Sequence, residues 1–270
     1  MGSSTPVKKS NGSSIIPLRL SVTNCFLAKA GDRYILVDTG FEDDWHLFLR
    51  RLKEAHVQFS QISHMILTHH HNDHSGLLRN ILRENDSINV VMSPLCKELV
   101  AKGENDTTRK WLLLNRRFAV LMRGWRLLLS LSLKKVVPKE KLNTFPPYQM
   151  RTSDLVVTEE TALRDLGIAL DGKIVETPGH TADSVSILFD DGNFLVGDAA
   201  ANVRIFQFLG AKYCAHIVTD LNAFYDSWAK LIAAGARRIY PAHGSPFPVE
   251  KLKTNLWKNK PENLISYSPR

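Results

Sequence analysis

Four residues able to bind a divalent cation fall within six positions: His69, His71, Asp73 and His74, in the spacing H-x-H-x-D-H. In an extended chain, side chains two apart point the same way, so His69 and His71 can converge on one cation. Asp73 and His74 are neighbours and reach a second cation only where the chain turns. Imidazole nitrogen and carboxylate oxygen are good donors to Zn²⁺ and similar borderline metals. Such a cluster on a loop leaving an apolar strand points to metal chemistry. A lone histidine such as His64, near a strand end, reads instead as a hydrogen-bonded surface or core residue.

Three further positions share the pattern. His180 stands in T-P-G-H-T, Asp198 in L-V-G-D-A and His243 in Y-P-A-H-G. Each is expected at the C-terminal end of an apolar strand, beside a Gly or Pro that lets the backbone turn sharply. A Ser/His/Asp mechanism would need Ser184 or Ser245 as nucleophile, but neither lies in a G-x-S-x-G elbow.

The elements that must deliver these residues are legible in outline. Strands are expected at 15–22, 25–30 and 33–38, the last two joined by a Gly31-Asp32 turn. A helix follows over 43–55, with Trp45, Leu49 and Leu52 at helical spacing. The buried strand 64–68 runs into the histidine cluster. A helix over 75–84, a strand over 88–92 and a helix from Pro94 come next. The β pattern returns near 153 and continues through 172–177, 184–189 and 193–198, with a hairpin turn at Asp190-Asp191-Gly192. A helix over 220–234 precedes a strand over 237–242. Two β-rich halves, each with helices attached, predict an α/β sandwich with the helices outside.

Residues 109–141 break this alternation. The stretch 111–133 is mostly apolar, but Arg116, Arg117, Arg123 and Arg126 make a membrane span costly. Leu114, Phe118, Leu121, Trp125 and Leu128 share one helical face. The segment is predicted as one or two basic amphipathic helices inside an insertion spanning about 97–150. Residues 1–14, rich in Ser and Gly, are expected to be a flexible leader to a single domain over 15–270.

In this order, H-x-H-x-D-H, P-G-H-T, G-D-A and A-H-G resemble the metallo-β-lactamase-fold hydrolases, and Val37-Asp38-Thr39-Gly40 resembles an early hairpin element of that superfamily. The resemblance spans about 15–250. It implies an αβ/βα four-layer sandwich with a dinuclear metal site along one edge. By the match, His69, His71 and His180 would bind the first metal, Asp73, His74 and His243 the second, and Asp198 would bridge both. Asp38 would hold a ligand histidine by hydrogen bond. His70 and Asn72 fill the motif's variable positions and either face away from the metals or support the loop. A hydroxide between the two cations would then be the nucleophile, and Asp73 would pass a proton to the leaving group. Two divalent ions are expected, Zn²⁺ first, with Fe, Mn or Co fitting the same ligands.

Within the superfamily the layout is nearest to the acyl-homoserine lactonases. Those often carry a Tyr soon after the bridging Asp, where this chain has Ala199-Ala200-Ala201, and Tyr213 is the candidate to stand in for it. Glyoxalase II-type thioesterases differ in the same stretch, and the chain is too short for a flavodiiron protein. The expected substrate is a carboxylic ester or lactone with an apolar part. The alternatives are a phosphodiesterase or RNase Z-like nuclease, and a metal-binding protein that docks on membranes with little catalysis.

Composition bounds the rest. Of 270 residues, 44% are apolar and 23% charged, which excludes a disordered tail, a collagen-like repeat and a membrane bundle. Cys25, Cys96 and Cys214 are odd in number and far apart, so no disulfide framework is implied. The N-terminus has no apolar core of a secretory signal, and a cytoplasmic protein is the default. The net charge of +8 is local: residues 109–141 hold ten Lys/Arg and one acid, Glu140, for +9, and the remainder sums to −1. Substrate lid, homodimer interface, and contact with a membrane surface or nucleic acid are the roles left open for that segment.

Overall fold

A computed structural model of the chain describes residues 13–106, 111–113, 120, 143–208, 212–215, 217–256 and 265–267. The first strands are β1 (Ile15–Arg19), β2 (Asn24–Ala30), β3 (Arg33–Val37), β4 (Ile62–Ile66) and β5 (Asn89–Met92), followed by β6 (Trp111–Leu113) and β7 (Leu155–Val156). The chain continues through β8 (Glu160–Ala162), β9 (Gly172–Glu176), β10 (Val185–Phe189), β11 (Asn193–Asn202) and β12 (Ile217–Val218). It then forms β13 (Arg238–Gly244), β14 (Phe247–Pro248) and β15 (Ile265–Tyr267). One six-stranded sheet has the order β1-β2-β3-β4-β5-β7, the other β14-β13-β11-β10-β9-β8. Each mixes antiparallel and parallel pairs, the parallel ones being β3 with β4, β4 with β5, β5 with β7, and β11 with β13.

Strand alternation divides the apolar side chains between layers. From the first sheet, Phe26, Ile35, Val37 and Ile66 face the second sheet and meet its Ile174, Ile187, Phe189 and Leu195. Their neighbours Leu27, Leu36 and Met65 face outward and are covered by Phe48, Leu52, Ile81 and Val100 from helices Trp45–Glu54, Leu78–Glu84 and Pro94–Lys102. On the far side, Leu188, Phe194 and Val196 pack under Phe224, Trp228 and Leu231 of helix Leu221–Ala233. Both faces of both sheets are therefore buried, which is why these strands read as apolar runs. The result is the αβ/βα sandwich expected from the sequence.

Several boundaries differ from the sequence reading. The first strand ends at Arg19, not at 22, because Leu20 N–H donates to Thr23 O and closes a turn. The expected helix over 75–84 is divided into Asn72–Ser75 and Leu78–Glu84. Strand β11 runs on to Asn202, so Asp198 lies within it and not after it. The leader is tied down from Ser13, whose N–H donates to Asp191, and residues 1–12 lie outside the described residues.

The insertion is also smaller than expected. Its first part, Pro94–Lys102, is a core helix capped by Ser93, whose hydroxyl accepts from Cys96 N–H. Phe145 and Tyr148 are buried in that same core. The two arms meet at a bridge between Glu104 and Thr144 and a bond from Phe145 N–H to Gly103 O of 2.9 Å. Trp111–Leu113 is a strand and not part of an amphipathic helix, paired on both edges with β12 and β15, which satisfies its backbone groups between strands. Val120 is helical and exposed, and the other predicted helical positions of 109–141 lie outside the described residues. Among the described residues no helix is long and apolar enough to cross a membrane.

Asp154 locks the end of the returning arm to the first sheet. Its carboxylate accepts from Val90 N–H at 3.0 Å, from the Arg151 guanidinium at 2.7 Å and from the Tyr148 hydroxyl. Burial acts to raise its pKa, and the hydrogen bonds from Arg151 and Tyr148 prevail and hold it below the ordinary carboxylate value. Asp154→Ala is expected to cost about 2 kcal/mol in urea unfolding, since it orphans buried donors. A depressed folded-state pKa gives stability that is present above about pH 4 and lost as the pH falls through the lower folded value. The difference between wild type and variant should therefore shrink below that pH; a difference that does not would overturn the assignment.

Candidate metal centre

The seven ligand-type residues come together at one edge of the sandwich, with six of them buried and Asp73 partly exposed. Strand β4 leads into His69 and His71, and the helical turn Asn72–Ser75 then carries Asp73 and His74. That turn, in which His71 O accepts from His74 and Ser75 N–H, is the change of direction needed to aim two adjacent side chains at one point. His180 follows β9, whereas Asp198 and His243 lie in the parallel neighbours β11 and β13. Register shifts flank Gly197, which has φ +50°. A Cβ there would lie 2.5 Å from Thr68 Oγ1, so only glycine brings β11 this close to the histidine loop. Trp228 anchors the same strand by donating its indole N–H to Ala199 O at 2.6 Å.

Two clusters share one carboxylate. His69 Nε2 and His180 Nε2 each lie 3.1 Å from His71 Nδ1. His243 Nε2 lies 3.2 Å from Asp73 Oδ2, and His74 Nε2 3.7 Å from the same oxygen. Asp198 stands between them. Its Oδ2 is 3.3 Å from His180 Nε2, and its Oδ1 is 3.4 Å from His243 Nε2 and 3.7 Å from His74 Nε2. Within His69/His71/His180 and within Asp73/His74/His243, the donor atoms lie within 4.8 Å of one another.

This donor set fits cations. His74 Nε2 and Asp198 Oδ1 are buried with no hydrogen-bond partner among the described residues. Left so, each would cost about 1–3 kcal/mol. The opposite ring nitrogens are tied down: His74 Nδ1 to Asp38 Oδ2 at 2.9 Å, His180 Nδ1 to Ile217 O at 2.7 Å, and His243 Nδ1 to Val22 O at 3.0 Å. Carbonyl oxygens only accept, so His180 and His243 carry a proton on Nδ1, and when neutral they present the Nε2 lone pair to the cluster.

Electrostatics distinguishes the two clusters. Burial, with the neighbouring histidines, pushes His69 and His71 well below the ordinary imidazole value, and burial lowers His180. Burial opposes charge on His74 too, but Asp73, Asp38 and Asp198 prevail and push it up to about 9. His243 is held well above its ordinary value against burial by Asp198 and Asp73. Burial would raise both carboxyls, yet His74 and His243 hold Asp73 down, and His243 and His180 hold Asp198 down. In the first cluster burial disfavours charge on all three imidazoles, while in the second carboxylates favour it on His74 and His243, where a cation would replace protons.

The residues around the clusters answer the remaining expectations. Asp38, at φ +60°, accepts from Thr68 N–H and Oγ1 at 2.8 Å as well as from His74, so the histidine it holds is His74. His70 is buried and supports the loop. Its backbone N–H and Nδ1 donate to Asp183 at 2.8 and 3.0 Å, and its Nε2 accepts from Asp106 N–H at 2.9 Å. Asn72 makes a reciprocal pair with Asn105 at 2.9 and 3.2 Å. The motif's two intervening residues therefore moor the arm that leads into 107–142. Asp183, Asn105, Thr68 and Thr23 carry no spacing signal and were not legible in the sequence. His64 bonds Ser63 Oγ and stays outside the clusters, Ser184 pairs with the Thr181 hydroxyl, and the Tyr213 ring packs on Phe247 at 4.7 Å.

A family model of the metallo-beta-lactamase superfamily matches residues 18–243, and the chain belongs to that superfamily. It is 25% identical over 240 residues to the Beta-lactamase-like protein 2 homolog of Caenorhabditis elegans, covering 84% of this chain and 58% of that one, so it spans under two thirds of that relative's length. It is 38% identical over 72 residues to the thioesterase pkgB of Emericella nidulans, 26% of this chain and 21% of that one. Its fold matches TTHA1623, solved in a di-iron-bound form, with a TM-score of 0.57 at 19% identity over 90% of this chain and 98% of that one.

Asp198→Ala is expected to strip most of the bound metal, because it removes the one carboxylate that faces both clusters. Elemental analysis after dialysis tests this, and wild-type metal content in the variant would show that the carboxylate bridges nothing.

Proposed function

We propose that the protein is a dinuclear metal-dependent hydrolase acting on a carboxylic ester or lactone with an apolar part. The observation that carries this reading is Asp198, whose two oxygens divide between a three-histidine cluster and an Asp73/His74/His243 cluster. His69, His71 and His180 would hold one cation, Asp73, His74 and His243 the other, with Asp198 between them. Bound divalent cations supply an activated water at neutral pH and polarise the substrate oxygen. Zn²⁺ is the default, and the di-iron form of TTHA1623 keeps iron in play.

The protein's own groups do the rest. Asp38 holds His74 at a fixed angle, and Ile217 O and Val22 O do the same for His180 and His243. Asp73, partly exposed at the rim, carries the proton to the leaving group. The ester or lactone class is supported by the name of the pkgB relative, a thioesterase, matched over 26% of this chain. The +9 segment favours one second reading, a phosphodiesterase that uses 109–141 as a phosphate-binding arm.

A hydrolysis panel of lactones, esters, thioesters, phosphodiesters and β-lactams, on protein of measured metal content, separates these. Turnover of esters or lactones that is insensitive to salt is the expected result. Turnover of phosphodiesters alone, with affinity falling steeply as salt rises, would replace the reading.

The segment's arms meet at the Glu104–Thr144 bridge, and its strand β6 pairs with Ile217–Val218, whose Ile217 O holds His180. Replacing Arg116, Arg117, Arg123 and Arg126 by Gln, which keeps that strand, is expected to change KM and substrate preference while both cations stay bound. Loss of metal in that variant would place the four side chains in the core instead.

A further inference from the structure

We propose that the turn joining β1 to β2 is a clamp for the second cation's ligands, with Thr23 as a positioning residue that fixes how tightly that cation is held. This rests on the dinuclear reading of the site. Three consecutive residues reach Asp73, His243 and its neighbour Gly244, which come from opposite halves of the chain. Val22 O accepts from His243 Nδ1–H at 3.0 Å. The Thr23 hydroxyl donates to Asp73 Oδ2 at 3.2 Å. Asn24 Nδ2 donates to Gly244 O at 2.7 Å, holding the residue after His243.

The turn is itself anchored. Leu20 N–H donates to Thr23 O at 3.0 Å, and Ser21 donates to Asp44 through its N–H at 3.3 Å and its hydroxyl at 3.0 Å. Thr23 is buried, so its hydroxyl is shielded from competing water. Asp73 arrives on a helical turn after β4 in the first sheet, whereas His243 arrives on β13 in the second. A fixed turn that grips both sets their separation. The first cluster is oriented by other groups: Ile217 O holds His180, and Thr68 Oγ1 lies 3.2 Å from His69 Nδ1. Loosening the turn therefore acts on one cation and spares the other.

Thr23→Val deletes the hydroxyl at nearly constant volume, and Thr23→Ser restores it. Chelator-competition titration with Zn²⁺, together with zinc content after dialysis, reads the two affinities separately. Thr23→Val is expected to weaken the second zinc about tenfold, in the range for loss of a group that supports a ligand, with the first unchanged. Thr23→Ser is expected to behave as wild type. Two zinc ions bound as tightly in Thr23→Val as in wild type would overturn the proposal, as would a Thr23→Ser variant as weak as Thr23→Val. If Thr23→Val does not fold, Asn24→Ala, which frees Gly244, is expected to weaken the same zinc, and wild-type affinity there overturns the clamp. Wild-type protein that takes up fewer than two zinc ions overturns the dinuclear reading and the clamp with it, an outcome separate from any difference between variants.

Discussion

One carboxylate sets the terms for this molecule. Asp198 is buried among histidines, with one oxygen turned to each cluster. A charged group in such a place is tolerated only where charged or polar partners meet it. Five imidazoles and a second carboxylate surround it within a few ångströms, and they come from segments as far apart as residues 69 and 243. Two sheets packed face to face meet that demand. Each contributes ligands at the same edge, and the apolar layer between them fixes how the two sets meet.

The histidine side chains do not orient themselves. Each ring can turn about its own axis, and a cation needs one nitrogen aimed inward. The fold answers with backbone carbonyls for His180 and His243 and with the Asp38 carboxylate for His74. The choice of partner has an electrostatic consequence. A carbonyl fixes the tautomer and leaves the charge to the surroundings, whereas Asp38 also helps to keep His74 protonated until something displaces the proton. Charge is therefore disfavoured on the all-histidine cluster and favoured on the imidazoles of the mixed one.

The ligand set was legible because its signals are local: H-x-H-x-D-H lies within six residues, and Gly or Pro beside His180, Asp198 and His243 marks each turn. The sandwich was legible because strands buried on both faces read as apolar runs. What supports the ligands was not. Thr23 and Asp73 are 50 residues apart, His70 and Asp183 113, and Asn24 and Gly244 220. No periodicity encodes such pairs, since each is made only when the two halves dock. The continuation of β11 beyond Asp198 to Asn202 was missed for a related reason. Gly197 reads as the point where the backbone turns, yet it lets the strand bulge around Thr68 and continue. Trp111–Leu113 was misread because a short apolar run fits either period, and pairing with β12 and β15 decided it.

The charge distribution bears on how the site could be used. Outside 109–141 the sequence is close to neutral, so the protein's net positive charge is carried by that segment. That segment is moored close to the ligands. His70 and Asn72, which sit between ligands, bond Asp106 and Asn105 at its root. His70, Asn72 and Asn105 are buried, so these bonds are shielded from competing water. The same residues that space His69, His71 and Asp73 along the loop thus hold the root of the basic segment beside the two clusters.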